Sequence, residues 1–280
     1  MYKRVVLSTL LAAATGFAGP ALAADLDAIL YSPNLPVTQP VEIGNGWYLR
    51  GDFGYSLSSE GAASEYTSVV VSPFATSSDT YTSSGLSDEW SGGVGVGYRF
   101  TEYLRTDATV DFGQGRFGGT RDSATPCLGE PTGTTCPSTD SGDYTTMSLL
   151  ANGYVDLGTY AGFTPYVGAG AGMARVRWGT ITNSSLCSDG TGTCASSTTE
   201  TYEHPGEDSW RFTYALMAGM SYSLSKNLQL DLGYRYQKIN SGEMFGFDST
   251  STAAGASGTQ AYDNGFEKHE IRAGLRYSLW

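Results

Sequence analysis

The sequence predicts an all-β fold, an eight-stranded antiparallel up-and-down transmembrane β-barrel. Three observations carry that expectation: strand-period alternation that recurs along the chain, connections that are short and long by turns, and an export segment at the N-terminus. The alternation is plainest at the C-terminus. Ile271, Ala273, Leu275, Tyr277 and Leu279 fall on one face of a strand, while Glu270, Arg272, Gly274, Arg276 and Ser278 fall on the other. A strand with charge on one side and apolar groups on the other suits a barrel with a lipid exterior and a polar interior.

Residues 1–23 read as a secretory signal: Lys3 and Arg4 precede the apolar run that starts at Val5, and Ala21-Leu22-Ala23 forms a small-residue cleavage pattern. Residues 24–45 contain Pro33, Pro36 and Pro40 without periodicity and are expected to form an extended periplasmic segment ahead of a barrel over 46–280. The whole chain has 16 basic and 28 acidic residues; without Lys3 and Arg4 the balance moves from −12 to −14, which disfavours nucleic acid as a partner. The composition, with 37 Gly and 19 Tyr, suits short strands joined by polar loops. No later segment has the run of about 18 apolar residues that a spanning helix needs, so membrane insertion would require strands.

In the first strand Trp47, Leu49, Phe53, Tyr55 and Leu57 alternate with Tyr48, Arg50, Asp52, Gly54 and Ser56. In the second, Trp90, Val94, Val96, Tyr98 and Phe100 alternate with Ser91, Gly93, Gly95, Gly97 and Arg99; the third sets Leu104, Ala108, Val110 and Phe112 against Arg105, Asp107, Thr109 and Asp111. The fourth is less clean, because Leu150 and Tyr154 fall among the polar set with Ser148, Asn152 and Asp156. Gly and Ala dominate the fifth, over about 164–180, and its faces are assigned by turning Arg175 and Arg177 inward. The sixth carries Trp210, Phe212, Tyr214, Leu216, Met220 and Tyr222 on one face; the seventh sets Leu228, Leu230, Leu232, Tyr234 and Tyr236 against Gln229, Asp231, Arg235 and Gln237. Trp47, Trp90, Phe100, Trp178, Trp210 and Tyr236 sit near strand ends, as an interfacial aromatic girdle requires.

Short connections at Thr101-Glu102, Gly158 to Gly162 and Ser225 to Asn227 alternate with long ones, the pattern of short periplasmic turns and long extracellular loops. Both termini are then periplasmic. A soluble β-sandwich tolerates the same alternation, and the export segment and connection lengths argue against it.

The inward set is expected to form a paired charge network that fills the narrow lumen: Arg50, Asp52, Arg99, Arg105, Asp107, Asp111, Asp156, Asp231, Arg235, Arg272 and Arg276, with Arg211 and Glu270. The period-two glycines 93, 95 and 97, and 168, 170 and 172, open no helix and so do not read as phosphate loops; they leave room on one face for curvature and for neighbouring arginines. Cys127 with Cys136 and Cys187 with Cys194 form two close pairs, read as local disulfides formed in an oxidising compartment, since no Cys-x-x-Cys spacing supports metal. The outer loops carry many acids, among them Glu60, Glu65, Asp79, Asp88, Glu89, Glu203, Glu207, Asp208, Asp248 and Asp263, against Arg116, Arg121, Lys238 and Lys268. Such a rim suits divalent cations bridging lipopolysaccharide phosphates, or a basic host or phage surface; simple solvation is the plainer alternative. His204 lies among acids, and His269 shares parity with Ile271 and faces the lipid interface; the two supply no organised catalytic constellation. Neither a cofactor nor a catalytic set is expected.

The run Gly46-Trp47-Tyr48-Leu49-Arg50-Gly51-Asp52-Phe53-Gly54-Tyr55, the run Thr164-Pro165-Tyr166-Val167-Gly168-Ala169-Gly170 and the closing Arg272-Ala273-Gly274-Leu275-Arg276-Tyr277 resemble the small outer-membrane β-barrel proteins of alphaproteobacteria, similar in architecture to OmpA-type and OmpX-type barrels. The resemblance covers about 46–280. It implies insertion by the barrel-assembly machinery, read from a terminal signal formed by Leu275, Tyr277, Leu279 and Trp280, with Trp280 one place out of phase with the apolar face. The expected role is structural: a barrel in contact with outer-membrane lipid and lipopolysaccharide that supports the envelope and presents acidic, disulfide-braced loops. A narrow porin is the alternative, and a lipid-modifying enzyme the third reading.

Overall fold

The computed structural model of the chain describes residues 46–279 apart from 58, 61–62, 72–73, 88, 124–132, 190–193 and 195–198. The expected export and extended segments, Cys127 and Trp280 therefore lie outside the described residues. In chain order the elements are β1 (Trp47–Leu57), β2 (Ser59–Glu60), β3 (Ala63–Val71), β4 (Phe74–Thr80), β5 (Ser83–Leu86), β6 (Glu89–Arg99), β7 (Leu104–Ser123) and β8 (Cys136–Asp156). They continue with β9 (Phe163–Trp178), β10 (Ile181–Ser185), β11 (Glu200–His204), β12 (Asp208–Ser223), β13 (Leu228–Ile239), β14 (Gly242–Gly246), α1 (Ser249–Ala253), β15 (Thr259–Asp263) and β16 (Phe266–Ser278).

Eight of these strands form a ring, β1-β6-β7-β8-β9-β12-β13-β16, each antiparallel to the next, and β16 closes it on β1 from Tyr48 opposite Ser278 to Leu57 opposite His269. The alternation sets which side chains face outward. Phe53, Val94 and Ile271 are 56%, 63% and 64% exposed, whereas Arg105, Asp107 and Arg276 are 0%, 5% and 2% exposed. Exposed apolar side chains around buried charges reverse the arrangement of a soluble sandwich and match a wall bathed in lipid. Among the described residues no helix is long and apolar enough to cross a membrane.

Two phase assignments change. In β9 the inward positions are Tyr166, Ala174, Val176 and Trp178, so Arg175 and Arg177 point outward rather than into the lumen. Glycines and alanines carry almost no face preference, so the arginines alone misled. Trp178, expected in the girdle, is 2% exposed and packs inside against Phe117 and Tyr144. In β8, by contrast, Leu150 and Tyr154 do lie inside, with Asn152 and Asp156.

The long connections are themselves built from strands. The β7–β8 hairpin stays paired out to Ser123 opposite Cys136, well past the apolar band, and β10 adds to its flank. Strands β14, β15, β3 and β4 form a second, four-stranded sheet from two different connections. A cluster including Tyr66, Leu86, Phe117, Tyr144, Val176 and Trp178, with Ile239, Met244, Phe245 and Phe266, forms an apolar core beneath this cap.

Inside the ring, glycines make room mostly for tyrosines and carboxylates. A Cβ on Gly97 would lie 2.2 Å from Tyr48 Cζ, one on Gly168 2.5 Å from Tyr154 Cδ1, and one on Gly219 2.6 Å from the Tyr166 hydroxyl; Gly95 alone of the period-two set meets an arginine, Arg50. Gly51, on the outer face, has nothing within 4 Å. Gly97→Ala should therefore lower the temperature at which the barrel loses its compact gel mobility, and Gly51→Ala should leave it unchanged. Equal shifts would show that ring-on-glycine packing does not stabilise the barrel.

Candidate functional site

The lumen is filled in layers. Nearest the short turns, Arg105 Nε donates to Asp156 at 3.0 Å, and its guanidinium carbon lies 4.0 Å from the ring centre of Tyr154 and 4.9 Å from that of Tyr166. Arg276 pairs with Asp231 at 3.2 Å, and Ser221 donates to the same carboxylate at 2.5 Å. In the middle, Arg50 forks onto Asp52 with two bonds of 2.7 and 2.8 Å and reaches Asp107 at 2.7 Å and the Tyr154 hydroxyl at 2.9 Å. Above this, Asp111 accepts from both Arg235 at 3.0 Å and Arg272 at 2.5 Å, while Glu270 accepts from Arg235 at 2.7 Å and from Ser91. Planar arginine forks satisfy several carboxylates at once, which a lysine ammonium does less well.

Of the expected network, Arg99 stands apart: it is partly exposed and donates to Gln229 at 3.3 Å, with no ion pair among the described residues. Arg211 does face inward, but its partner is Asp263 from β15 rather than a wall carboxylate, with both oxygens at 2.7 Å. The next layer uses residues that sequence reasoning placed on the solvated rim. Glu89 accepts from Lys268 at 2.6 Å and from the Tyr144 hydroxyl at 2.9 Å, and both charges are buried. Their parity with Ser91 and Glu270 was the available signal, masked by their closeness to the loops.

The cap is tied by a second set of buried pairs. Asp140 accepts from Tyr81 at 2.6 Å, from Arg121 at 3.2 Å and from Asn183 at 2.5 Å, and the Arg121 guanidinium carbon lies 3.5 Å from the ring centre of Tyr66. Burial pushes the Tyr81 and Tyr66 hydroxyls up, so both stay protonated, and Tyr81 is the donor to Asp140. Gln260 donates to the Tyr66 hydroxyl at 2.8 Å. His204 is not a surface group among acids. It is 3% exposed and packed between the rings of Tyr66 and Phe245, and no cluster able to hold a metal is found among the described residues. His269 lies on the outer wall and shares a 2.5 Å hydrogen bond with Tyr234.

Cys187 and Cys194 are joined in a disulfide, with Cα atoms 5.5 Å apart. Cys136 is also disulfide-bonded; its expected partner, Cys127, lies outside the described residues. At the terminus Leu275, Tyr277 and Leu279 face outward, 51%, 50% and 39% exposed.

Two expectations follow from this geometry. Asp111→Ala strands two guanidinium groups in a sealed interior and should cost about 3–5 kcal/mol, whereas breaking the exposed Arg116–Asp143 pair should cost about 0.5 kcal/mol or less. Urea unfolding of the barrel from lipid vesicles compares the two, and equal losses would exclude a braced lumen. Burial also holds His204 below its ordinary value of 6.5, with Asp248, Asp140 and Arg121 the charged groups facing it. The unfolded state thus takes up the proton first, so the stabilisation present above about pH 6.5 is lost as pH falls through and below that value. Protease resistance of the cap should decline between about pH 7.5 and pH 5, and His204→Phe should flatten that decline.

Comparison with known proteins agrees with this architecture. The model of the outer membrane protein beta-barrel domain matches residues 9–278. An uncharacterized protein of Brucella abortus (strain 2308) is 39% identical over 269 residues, covering 90% of this chain and 91% of its own. A Rickettsia felis protein named "Putative adhesin" is 27% identical, covering 85% and 90%. Among solved structures, Neisserial surface protein A aligns with 84% of this chain and 97% of its own, at 18% identity and a TM-score of 0.43. OprG of Pseudomonas aeruginosa aligns with 83% and 95%, at 14% identity and a TM-score of 0.43. With its family model spanning nearly the whole sequence and its eight strands closed into a ring, the chain belongs to the outer membrane protein beta-barrel domain family and resides in the Gram-negative outer membrane.

Proposed function

We propose that the protein is a non-conducting, non-catalytic barrel that supports the envelope and presents a rigid, acidic cap as a contact surface. One observation carries this reading: the outer end of the lumen is closed by an apolar core and buried ion pairs, where a pore would need a wetted path. Below it, a lumen cavity lined by Arg50, Asp52, Asn152, Tyr154, Arg235 and Arg272 has a volume of about 20 Å³, room for a water molecule. That supports the structural reading over a narrow porin. The placement of His204 among rings and of His269 on the wall supports a role without catalysis.

A cap built of paired strands loses little entropy on binding, which suits a docking surface better than mobile loops. Its exposed acids include Glu65, Glu203 and Glu243. They suit a basic protein surface or divalent cations bridging neighbouring lipopolysaccharide, and the name of the Rickettsia relatives points to surface attachment. Planar-bilayer recording of the full-length protein should show no steady conductance. Displayed on a heterologous Gram-negative host, it should increase retention on a polylysine-coated surface at low salt, and the triple variant Glu65→Lys, Glu203→Lys, Glu243→Lys should abolish the increase. Steady conductance would favour the porin, and retention independent of the acids would remove the cap from the function.

A further inference from the structure

The outward face of β9 changes character along its length. Val167, Ala169, Ala171 and Met173 face lipid, and the next two outward positions are Arg175 and Arg177. Arg175 lies opposite Met147 on one side and Trp210 on the other, so its cross-strand neighbours are membrane-facing apolar groups. Arg177 lies opposite Thr145 and Asp208. Asp208 pairs with Arg175, which leaves the two guanidinium groups with one carboxylate between them. A cation on a barrel's lipid face is costly at mid-bilayer, and the cost fades toward the interface, where anionic headgroups reside. Beneath the arginines an open groove runs down the wall over Met147, Phe112, Trp90 and Phe53. The last three are 54%, 57% and 56% exposed.

We propose that this groove holds a phosphorylated glycolipid of the outer leaflet, its phosphate on Arg175 and Arg177 and an acyl chain along Trp90 and Phe112. Charge complementarity selects the occupant: a net cation at headgroup height above an apolar floor matches an amphiphile with an anionic head, and a guanidinium fork matches phosphate geometry. The site is on the wall, away from the cap, and rests only on insertion in the outer membrane.

Native mass spectrometry of the full-length, detergent-solubilised protein tests the proposal with bis-phosphorylated lipid A as the probe. The wild type should retain one lipid A. The double variant Arg175→Gln, Arg177→Gln should bind at least tenfold more weakly, while Lys238→Gln, on strand β13, should bind as the wild type does. Lipid A stripped of its phosphates should bind the wild type as weakly as intact lipid A binds the double variant, and equimolar inorganic phosphate should not displace intact lipid A. Equal retention of the two lipids, or undiminished binding by a folded double variant, would overturn the site. Should the double variant fail to reach the compact heat-modifiable form, the comparison of the two lipids on the wild type decides alone.

Discussion

The barrel depends on neutralising charge across a space that water hardly enters. Its walls are held edge to edge by backbone ladders, but those ladders do not connect opposite sides of the ring. The side chains do. Arg235 on β13 reaches Asp111 on β7, and Lys268 on β16 reaches Thr146 on β8; in each case the two strands stand four places apart in a ring of eight. Arg272 adds a tie from β16 to the same Asp111. Removing one partner from such a set leaves an ion that neither solvent nor protein compensates, so each member constrains the others.

Tyrosine makes that density achievable. Tyr48, Tyr154 and Tyr166 lie over glycines 97, 168 and 219 and offer their rings to Arg276 and Arg105. A side chain at any of those glycines would lift the ring from the wall and displace the guanidinium that rests on it. The glycine pattern and the charge pattern are thus one arrangement: absent side chains on one strand create the depth that a ring on the next strand occupies.

The same logic continues beyond the membrane band with different materials. At the outer end the polar layers give way to an apolar core, and connections from separate hairpins join in a second sheet above it. Arg211 on the wall, bonded to both oxygens of Asp263, anchors that sheet to the barrel.

The sequence by itself determined the barrel. The alternation in β1, β6, β7, β13 and β16 is unambiguous because, away from the outer ends of the strands, charged residues occupy one parity and branched or aromatic residues the other, and a one-residue slip would put arginine in lipid. It also marked most of the lumen network, since parity alone places Arg50, Asp111 or Arg235. Where parity carried no contrast, only the tertiary structure decided. In β9 small residues leave the face undefined, so the direction of Arg175 and Arg177 depends on the register with β8 and β12. Glu89, Lys268, Arg121, Asp263 and His204 lie in or beside segments that look like solvated loops, and they are buried because distant connections fold over them. Burial of that kind arises from contacts between residues far apart in the chain, and local periodicity does not record them.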